Sequence, residues 1–220
     1  MEKREFKDRV YGGIAQMTKA LSNPHRLEII ELLAQGEKTV EVIAAEIHAS
    51  VANTSQHLQV LKQSKLLSTR KQGHYIYYRL SSPEVFQAWQ ALRTLSTREL
   101  PEVERVISDF RKEKDSLEGV SMEELIQKLQ ADEVILLDVR PTEEYLLGHI
   151  PKAISVPPGD WEQHLHTLPT EKEIIAYCRG PFCVFADDAV ALLKSRGYRA
   201  IRLEVGFPDW KLLGLPVELN

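Results

Sequence analysis

From residue 134 onward, short apolar runs alternate with segments of helical spacing, and this alternation limits the fold more than any other feature of the chain. "EVILLDV", "AISVP", "EIIAY" and "AIRLE" have the length and apolar content of strands, and "TEEYLLG", "DWEQHLHTL" and "FADDAVALLKSRG" carry apolar residues at helical intervals between them. Strands joined through helices return to the same end of the sheet, so the expectation is an α/β domain with a mostly parallel sheet. Ser121 and Glu124 make a capping box ahead of "MEELIQKLQ", which opens that domain. Ligand sites in such sheets lie beyond the carboxyl ends of the strands.

The N-terminal half follows another rule. "SNPHRLEIIELLAQG" predicts a helix with Asn23 as N-cap, Pro24 at the first helical position, Leu27, Ile30 and Leu33 on one face, and Gly36 as terminator. "TVEVIAAEIHAS" turns Val40, Ile43, Ala44 and Ile47 inward. A third helix follows with Val51, Thr54, Leu58 and Leu61 inward, leaving Asn53, Ser55, Gln56 and Gln59 on a polar, uncharged face. "LLSTRKQGHYIYYRL" then alternates around a Gly73 turn, which predicts a hairpin with a basic tip.

Charge agrees with this division. Residues 1–118 hold 18 Lys and Arg against 16 acids, whereas residues 119–220 hold 10 against 16. No acid occurs between Glu46 and Glu84, an interval that contains Lys62, Lys65, Arg70, Lys71 and Arg79. A face built there meets phosphates without repulsion. Three helices and a basic hairpin make a winged helix-turn-helix, whose third helix enters the major groove while the hairpin lies along the backbone or in the minor groove. The expected DNA-facing set is Asn53, Ser55, Gln56, His57 and Gln59 on the helix, with Arg70, Lys71 and His74 on the wing. A helical domain with a merely solvated polar face is the alternative.

Residues from about 17 to 100 resemble the ArsR family of bacterial transcriptional regulators, most specifically through "SQHLQVLKQSKLL" and "RKQGHYIYYRL". The resemblance implies a homodimer that binds palindromic double-stranded operator DNA, as a repressor in most members, and releases it to an inducer. Metal-sensing members carry a Cys-x-Cys pair before the recognition helix, or Asp and His ligands on the C-terminal helix. Here "EKTVEVIAAEI" has no Cys and "SPEVFQAWQALRTLSTRELPEVERVISDF" has no His, so no metal and no cofactor are expected. In that last segment Val85, Trp89, Leu92, Val103, Val106, Ile107 and Phe110 recur at helical spacing as a core or dimer seam, with a break at Pro101.

Both cysteines stand five positions apart in "AYCRGPFCVFADDAV". Cys178 follows the strand "EIIAY" and precedes a helix N-terminus, whose unpaired N–H groups stabilise an anion, so a thiol here is placed to react as a thiolate. A buried structural cysteine is the alternative. Residues from about 117 to 220 resemble the rhodanese domain of sulfurtransferases through "LLDVRPTEEYLLGHIPKAISVP", "YCRG" and "VGFPDWKLLGLPVE". That resemblance makes Cys178 the nucleophile that carries sulfane sulfur as a persulfide, with Arg179, Gly180, Pro181, Phe182 and Cys183 as its loop and Asp138 and Arg140 in support. It also implies a sulfane sulfur donor and a thiol acceptor as partners.

Common single-domain members place a second arginine in the loop where this chain has Cys183. Related phosphatases need an arginine six places after Cys178, where Val184 stands, and an apolar side chain cannot clamp a phosphate oxygen.

The expected organisation is therefore a winged-helix domain over 1–108, a solvated helical linker over 109–119 and a rhodanese-like domain over 120–220. No apolar run approaches the roughly 18 residues of a membrane span, and "MEKREFKDRV" is too charged for a secretory signal, so a cytoplasmic protein without membrane partners is expected. Three functions fit: a regulator whose DNA binding is modulated by a persulfide on Cys178, a sulfurtransferase with autoregulatory DNA binding, and a regulator with a catalytically silent rhodanese-like ligand-binding module.

Overall fold

A computed structural model describes residues 1–165 and 168–219. The chain forms two compact units, Met1–Arg93 and Thr94–Asn220.

The first unit contains α1 (Lys3–Leu21), α2 (Pro24–Leu33), β1 (Lys38–Thr39), α3 (Val40–Glu46), α4 (Val51–Gln63), β2 (Leu67–Gln72), β3 (Tyr75–Leu80) and α5 (Pro83–Glu99), within which the division between units falls. Asn23 caps α2 by accepting from the Arg26 amide at 3.2 Å, and Ser50 caps α4 by accepting from the Asn53 amide at 3.2 Å. Each cap satisfies a donor that the helix start leaves unpaired, worth about 1 kcal/mol. Ile29, Ile30, Ile43, Leu58 and Leu61 are fully buried, each contributing about 1.5–3 kcal/mol by leaving water. The three strands form an antiparallel sheet in the order β1-β3-β2, with Gln72 opposite Tyr75 across the Gly73–His74 turn. Gly73 has φ of 60°, a conformation costly for other residues.

Three features differ from the sequence expectation. α1 has no counterpart in it. The segment expected as a continuous helix from Thr39 begins with β1, where Thr39 pairs with Tyr77. Val51, expected inward, is 47% exposed, because it is the first residue of α4 and precedes the turns that pack through Thr54, Leu58 and Leu61.

The second unit opens with α6 (Pro101–Glu113), where Pro101 starts a new helix since its ring cannot sit inside the old one. It continues with β4 (Gly119–Val120), α7 (Met122–Gln130), β5 (Val134–Asp138), α8 (Thr142–Leu146), β6 (Ile154–Ser155), α9 (Trp161–Leu165), β7 (Glu173–Tyr177), α10 (Val184–Ser195), β8 (Ala200–Leu203) and α11 (Phe207–Leu212). Of the helix expected over 160–168, positions 166 and 167 lie outside the described residues.

The five strands are all parallel, in the order β4-β8-β7-β5-β6. Alternation along the strands divides the core. Leu137, Ile174 and Ala176 pack with Ala189, Val190 and Leu193 of α10, whereas Leu136, Ile175 and Tyr177 pack with Leu125, Ile150 and Trp210. β7 lies between β5 and β8, so the residue after Tyr177 emerges at the centre of the sheet's carboxyl edge.

Residues 109–119, expected as a solvated linker, bring several side chains onto α10, Lys114 among them through its pair with Asp188 at 2.7 Å. Arg111 sits near Asp187 of α10, and Ser116 is buried with its hydroxyl donating to Asp187 at 2.7 Å.

Candidate functional site

In the first unit, α4 presents Asn53, Gln56 and Gln59 to solvent, with Ser55 and His57 partly covered. Thr54, Leu58 and Leu61 hold the opposite face against the core, which fixes the direction of the polar face. His57 turns toward the start of α2, where its ring meets His25 edge-on at 5.4 Å between centroids. Burial, followed by the nearby His25 and Arg26, holds the His57 pKa below its ordinary value.

On the wing, Lys71 and His74 are exposed. Arg70 is exposed too, but its guanidinium is paired with Glu37 ahead of β1 and donates to the Gln72 side chain at 2.9 Å. Hydrogen bonding from Arg70 holds the Glu37 carboxyl below the usual carboxylate range. Half of the expected basic tip is therefore neutralised within the protein. Tyr75 and Ile76 also stand exposed near the turn, marked in sequence only by the end of the charged run.

In the second unit, Cys178 and Cys183 form a disulfide across the loop from β7 to α10, with Cα atoms 6.1 Å apart. Cys178 is 2% exposed and packs with the α10 face of the core; Cys183 is partly exposed and occupies the N-cap of α10. In this oxidised state neither sulfur is a thiolate. Cleavage of the bond is required before Cys178 attacks anything.

The loop between them is held from three sides. The Cys183 amide donates to the Gly180 carbonyl at 3.1 Å. The Phe207 amide at the start of α11 donates to the Cys178 carbonyl at 3.1 Å. Beside it Gly206 approaches so closely that a Cβ would lie 2.2 Å from the Arg179 carbonyl oxygen, which explains the glycine of the closing motif. Finally, Arg111 donates to the Pro181 carbonyl at 2.5 Å.

Arg179 leaves the loop and forms a bidentate pair with the buried Glu144 of α8, with contacts of 2.7–3.1 Å. Its charge is directed at a carboxylate of the protein. Glu144 belongs to the opening rhodanese signature, but nothing local in the sequence links it to a residue 35 positions away.

Asp138 and Arg140 form a buried ion pair below the loop. The Asp138 carboxylate accepts from the Arg140 backbone amide at 3.0 Å, from its guanidinium at 2.5–3.1 Å, and from the Tyr177 hydroxyl at 2.6 Å. Tyr177 in turn accepts from the Ile150 amide at 3.1 Å, and Arg140 donates to the Gly148 carbonyl at 2.8 Å. Burial, aided by Asp138, raises the Tyr177 pKa well above its ordinary value, so the hydroxyl stays a donor. This network ties the carboxyl ends of β5 and β7 together and thereby positions Cys178. Tyr177 and Arg111 were the structural contributors missed in sequence. The helical stripe through Val103, Ile107 and Phe110 was the available sign that α6 packs onto something.

Among the described residues, no group of three or more His, Cys, Asp or Glu side chains is placed to hold a metal ion, and no helix is long and apolar enough to cross a membrane.

A winged helix-turn-helix followed in one chain by a parallel α/β domain with a cysteine loop defines a transcriptional regulator joined to a rhodanese-type domain. Residues 23–69 match the family described as "Bacterial regulatory protein, arsR family", and residues 121–213 match the "Rhodanese-like domain". The HTH-type transcriptional regulator Rv0324 of Mycobacterium tuberculosis is 38% identical over 205 residues, covering 93% of this chain and 90% of that protein. YtwF of Bacillus subtilis, provisionally named a sulfurtransferase, is 30% identical over 96 residues, 43% of this chain and 91% of that one. Among solved structures, the homodimeric winged helix-turn-helix DNA-binding fragment of Mb0332 from Mycobacterium bovis is 33% identical, covers 46% of this chain and 91% of that one, and has a TM-score of 0.42. The chain belongs to the ArsR family of bacterial transcriptional regulators, in a form that carries a C-terminal rhodanese domain.

Proposed function

We propose that this regulator is a homodimeric repressor of palindromic operators whose affinity for DNA is modulated by sulfane sulfur taken up at Cys178. The observation that carries this reading is the placement of the chain's two cysteines. They share one loop of the rhodanese domain with Cα atoms 6.1 Å apart, while the DNA-binding unit has no thiol. Dimerisation is supported by α1, whose Phe6, Val10, Ile14 and Met17 form an exposed apolar stripe that a second copy would cover.

In the reduced protein, the Cys178 thiolate attacks a terminal sulfane sulfur of a polysulfide, forming a Cys178 persulfide and releasing a polysulfide one sulfur shorter. The Cys183 thiol then attacks the inner sulfur of that persulfide. Its sulfur bonds to Cys178, hydrosulfide leaves with the thiol proton, and two thiols have been oxidised at the expense of one sulfane sulfur. Because Arg179 is engaged by Glu144 and Cys183 stands where the common single-domain rhodanese pattern has a second arginine, polysulfides and organic persulfides suit the loop better than thiosulfate.

The test is fluorescence anisotropy on an operator fragment, starting from reduced protein. Polysulfide is expected to weaken binding by roughly 5- to 150-fold, the range of ordinary allosteric coupling. Cys178→Ser abolishes the response, and Cys183→Ser blunts it or makes it transient. Equal affinity of treated and untreated parent protein refutes the switch. A second reading, sulfur transfer as the main activity, draws on the similarity to YtwF and is scored by thiocyanate formation from cyanide.

A further inference from the structure

The bond between Cys178 and Cys183 must open before either sulfur reacts, and the two sulfurs are not equivalent to a molecule arriving from solvent. Cys178 is 2% exposed and packs in one cluster with Val139, Val156, Ala186 and Val190. The backbone beside it is covered as well. The Phe207 amide donates to the Cys178 carbonyl at 3.1 Å, and Gly206 lies against the Arg179 carbonyl with no room for a Cβ. The start of α11 thus closes one side of Cys178.

Cys183 is placed differently. It packs against the same core without being enclosed by it, and it stands between Phe182 and Val184, which are 37% and 43% exposed. It is also the N-cap of the twelve-residue α10, where no side chain caps the first-turn amides. Those amides favour negative charge on the Cys183 sulfur once the bond is open. The acids that follow are engaged, Asp187 by Ser116, Arg111 and Arg202, and Asp188 by Lys114.

We propose that Cys183 is the point at which a small organic thiol attacks and reopens the disulfide. The incoming thiolate bonds to the Cys183 sulfur, and the Cys178–Cys183 bond breaks with its electron pair leaving on Cys178. A second thiolate attacks the sulfur that the first one brought. A disulfide of the two small thiols leaves, and the electron pair of the broken bond stays on Cys183. Two thiols have been oxidised and the loop disulfide reduced by two electrons, with the thiol protons going to whichever cysteines take them up. In the intermediate Cys183 is capped and Cys178 is free, the state in which it can attack sulfane sulfur. This deepens the sulfur reading by supplying its reductive half. It is tested on the oxidised protein without polysulfide or DNA, so failure of either leaves the other standing.

Oxidised full-length protein is mixed with mercaptoethanol, quenched at short times with N-ethylmaleimide, and cut with trypsin, which separates the two cysteines at Arg179. Peptide masses are expected to show mercaptoethanol on Cys183 and maleimide on Cys178, exceeding the reverse arrangement by at least about tenfold, since access decides which sulfur is attacked. The earliest times are read, before the adduct can migrate through Cys178. In the reduced single-cysteine variants, Cys178→Ser, which keeps Cys183, should exchange with dithiodipyridine about tenfold faster than Cys183→Ser. Should a variant fail to fold, the mapping on the parent decides. An adduct mainly on Cys178 at the earliest times, equal yields on both cysteines, or a folded Cys183→Ser protein that exchanges as fast as Cys178→Ser overturns the proposal. So does a disulfide that mercaptoethanol opens only in denatured protein.

Discussion

Replacing Asp138 with asparagine keeps the side-chain shape and removes the charge around which the carboxyl ends of β5 and β7 are built. The carboxylate accepts from the Arg140 amide, the Arg140 guanidinium and the Tyr177 hydroxyl, and both members of the ion pair are 0% exposed. Asparagine offers one acceptor oxygen and turns an NH₂ toward these donors. Arg140 retains the Gly148 carbonyl at 2.8 Å, the face of Phe207 at 4.1 Å and the more distant Glu144 charge, but loses its direct ion-pair partner. Breaking a buried pair in this way costs about 3–5 kcal/mol, roughly a fifth or more of the ordinary stability of a domain. Tyr177→Phe, which loses the bond to Asp138 and the acceptor for Ile150, should cost about 1–3 kcal/mol. Urea unfolding followed by circular dichroism measures both, with operator binding as the separate report on the first unit. Adding Arg140→Met to Asp138→Asn should recover part of the loss, because no unpaired charge remains buried. An Asp138→Asn protein less than about 1 kcal/mol below the parent would refute the argument that this network holds the strand ends.

Gly206→Ala places a Cβ 2.2 Å from the Arg179 carbonyl oxygen, and backbone cannot yield as a flexible side chain does; the variant should lose about 1–3 kcal/mol in urea melts and take up sulfur more slowly at Cys178 by mass spectrometry. Glu37→Gln frees Arg70, so operator binding should tighten and the plot of log affinity against log salt should steepen by about 0.9 per added phosphate contact. Lys71→Ala should flatten the same plot and weaken all DNA sequences alike. The depressed His57 pKa means that the unfolded chain binds the proton more readily than the folded one; stability is therefore present above about pH 6.5 and lost as the pH falls toward the folded value. Thermal melts at pH 7.5 and 5.5 should show this loss in the parent and a smaller one in His57→Gln.

Local chemistry made much of this protein readable from sequence. Asn23 and Ser121 cap the helices that follow them, because a cap needs only a side-chain oxygen and an amide three residues on. The two periodicities, helical over 24–63 and strand-helix alternation from 134, separate a winged helix from a parallel sheet for an equally local reason: each records which side of its own element meets the core. They also put Cys178 at the carboxyl end of a strand, whose central place in the sheet only the strand order shows. Long-range pairing was decided by packing alone. Arg179 turns to Glu144 across 35 positions, Arg70 to Glu37 across 33, and Arg111 to the Pro181 carbonyl across 70. In each case the sequence shows a charged residue whose periodicity allows exposure to solvent or to a ligand, and only the fold supplies the acceptor. The closure of Cys178 with Cys183 belongs to the same class, since a spacing of five is compatible with paired or separate thiols until the turn through Gly180 and Pro181 sets the distance between their Cα atoms.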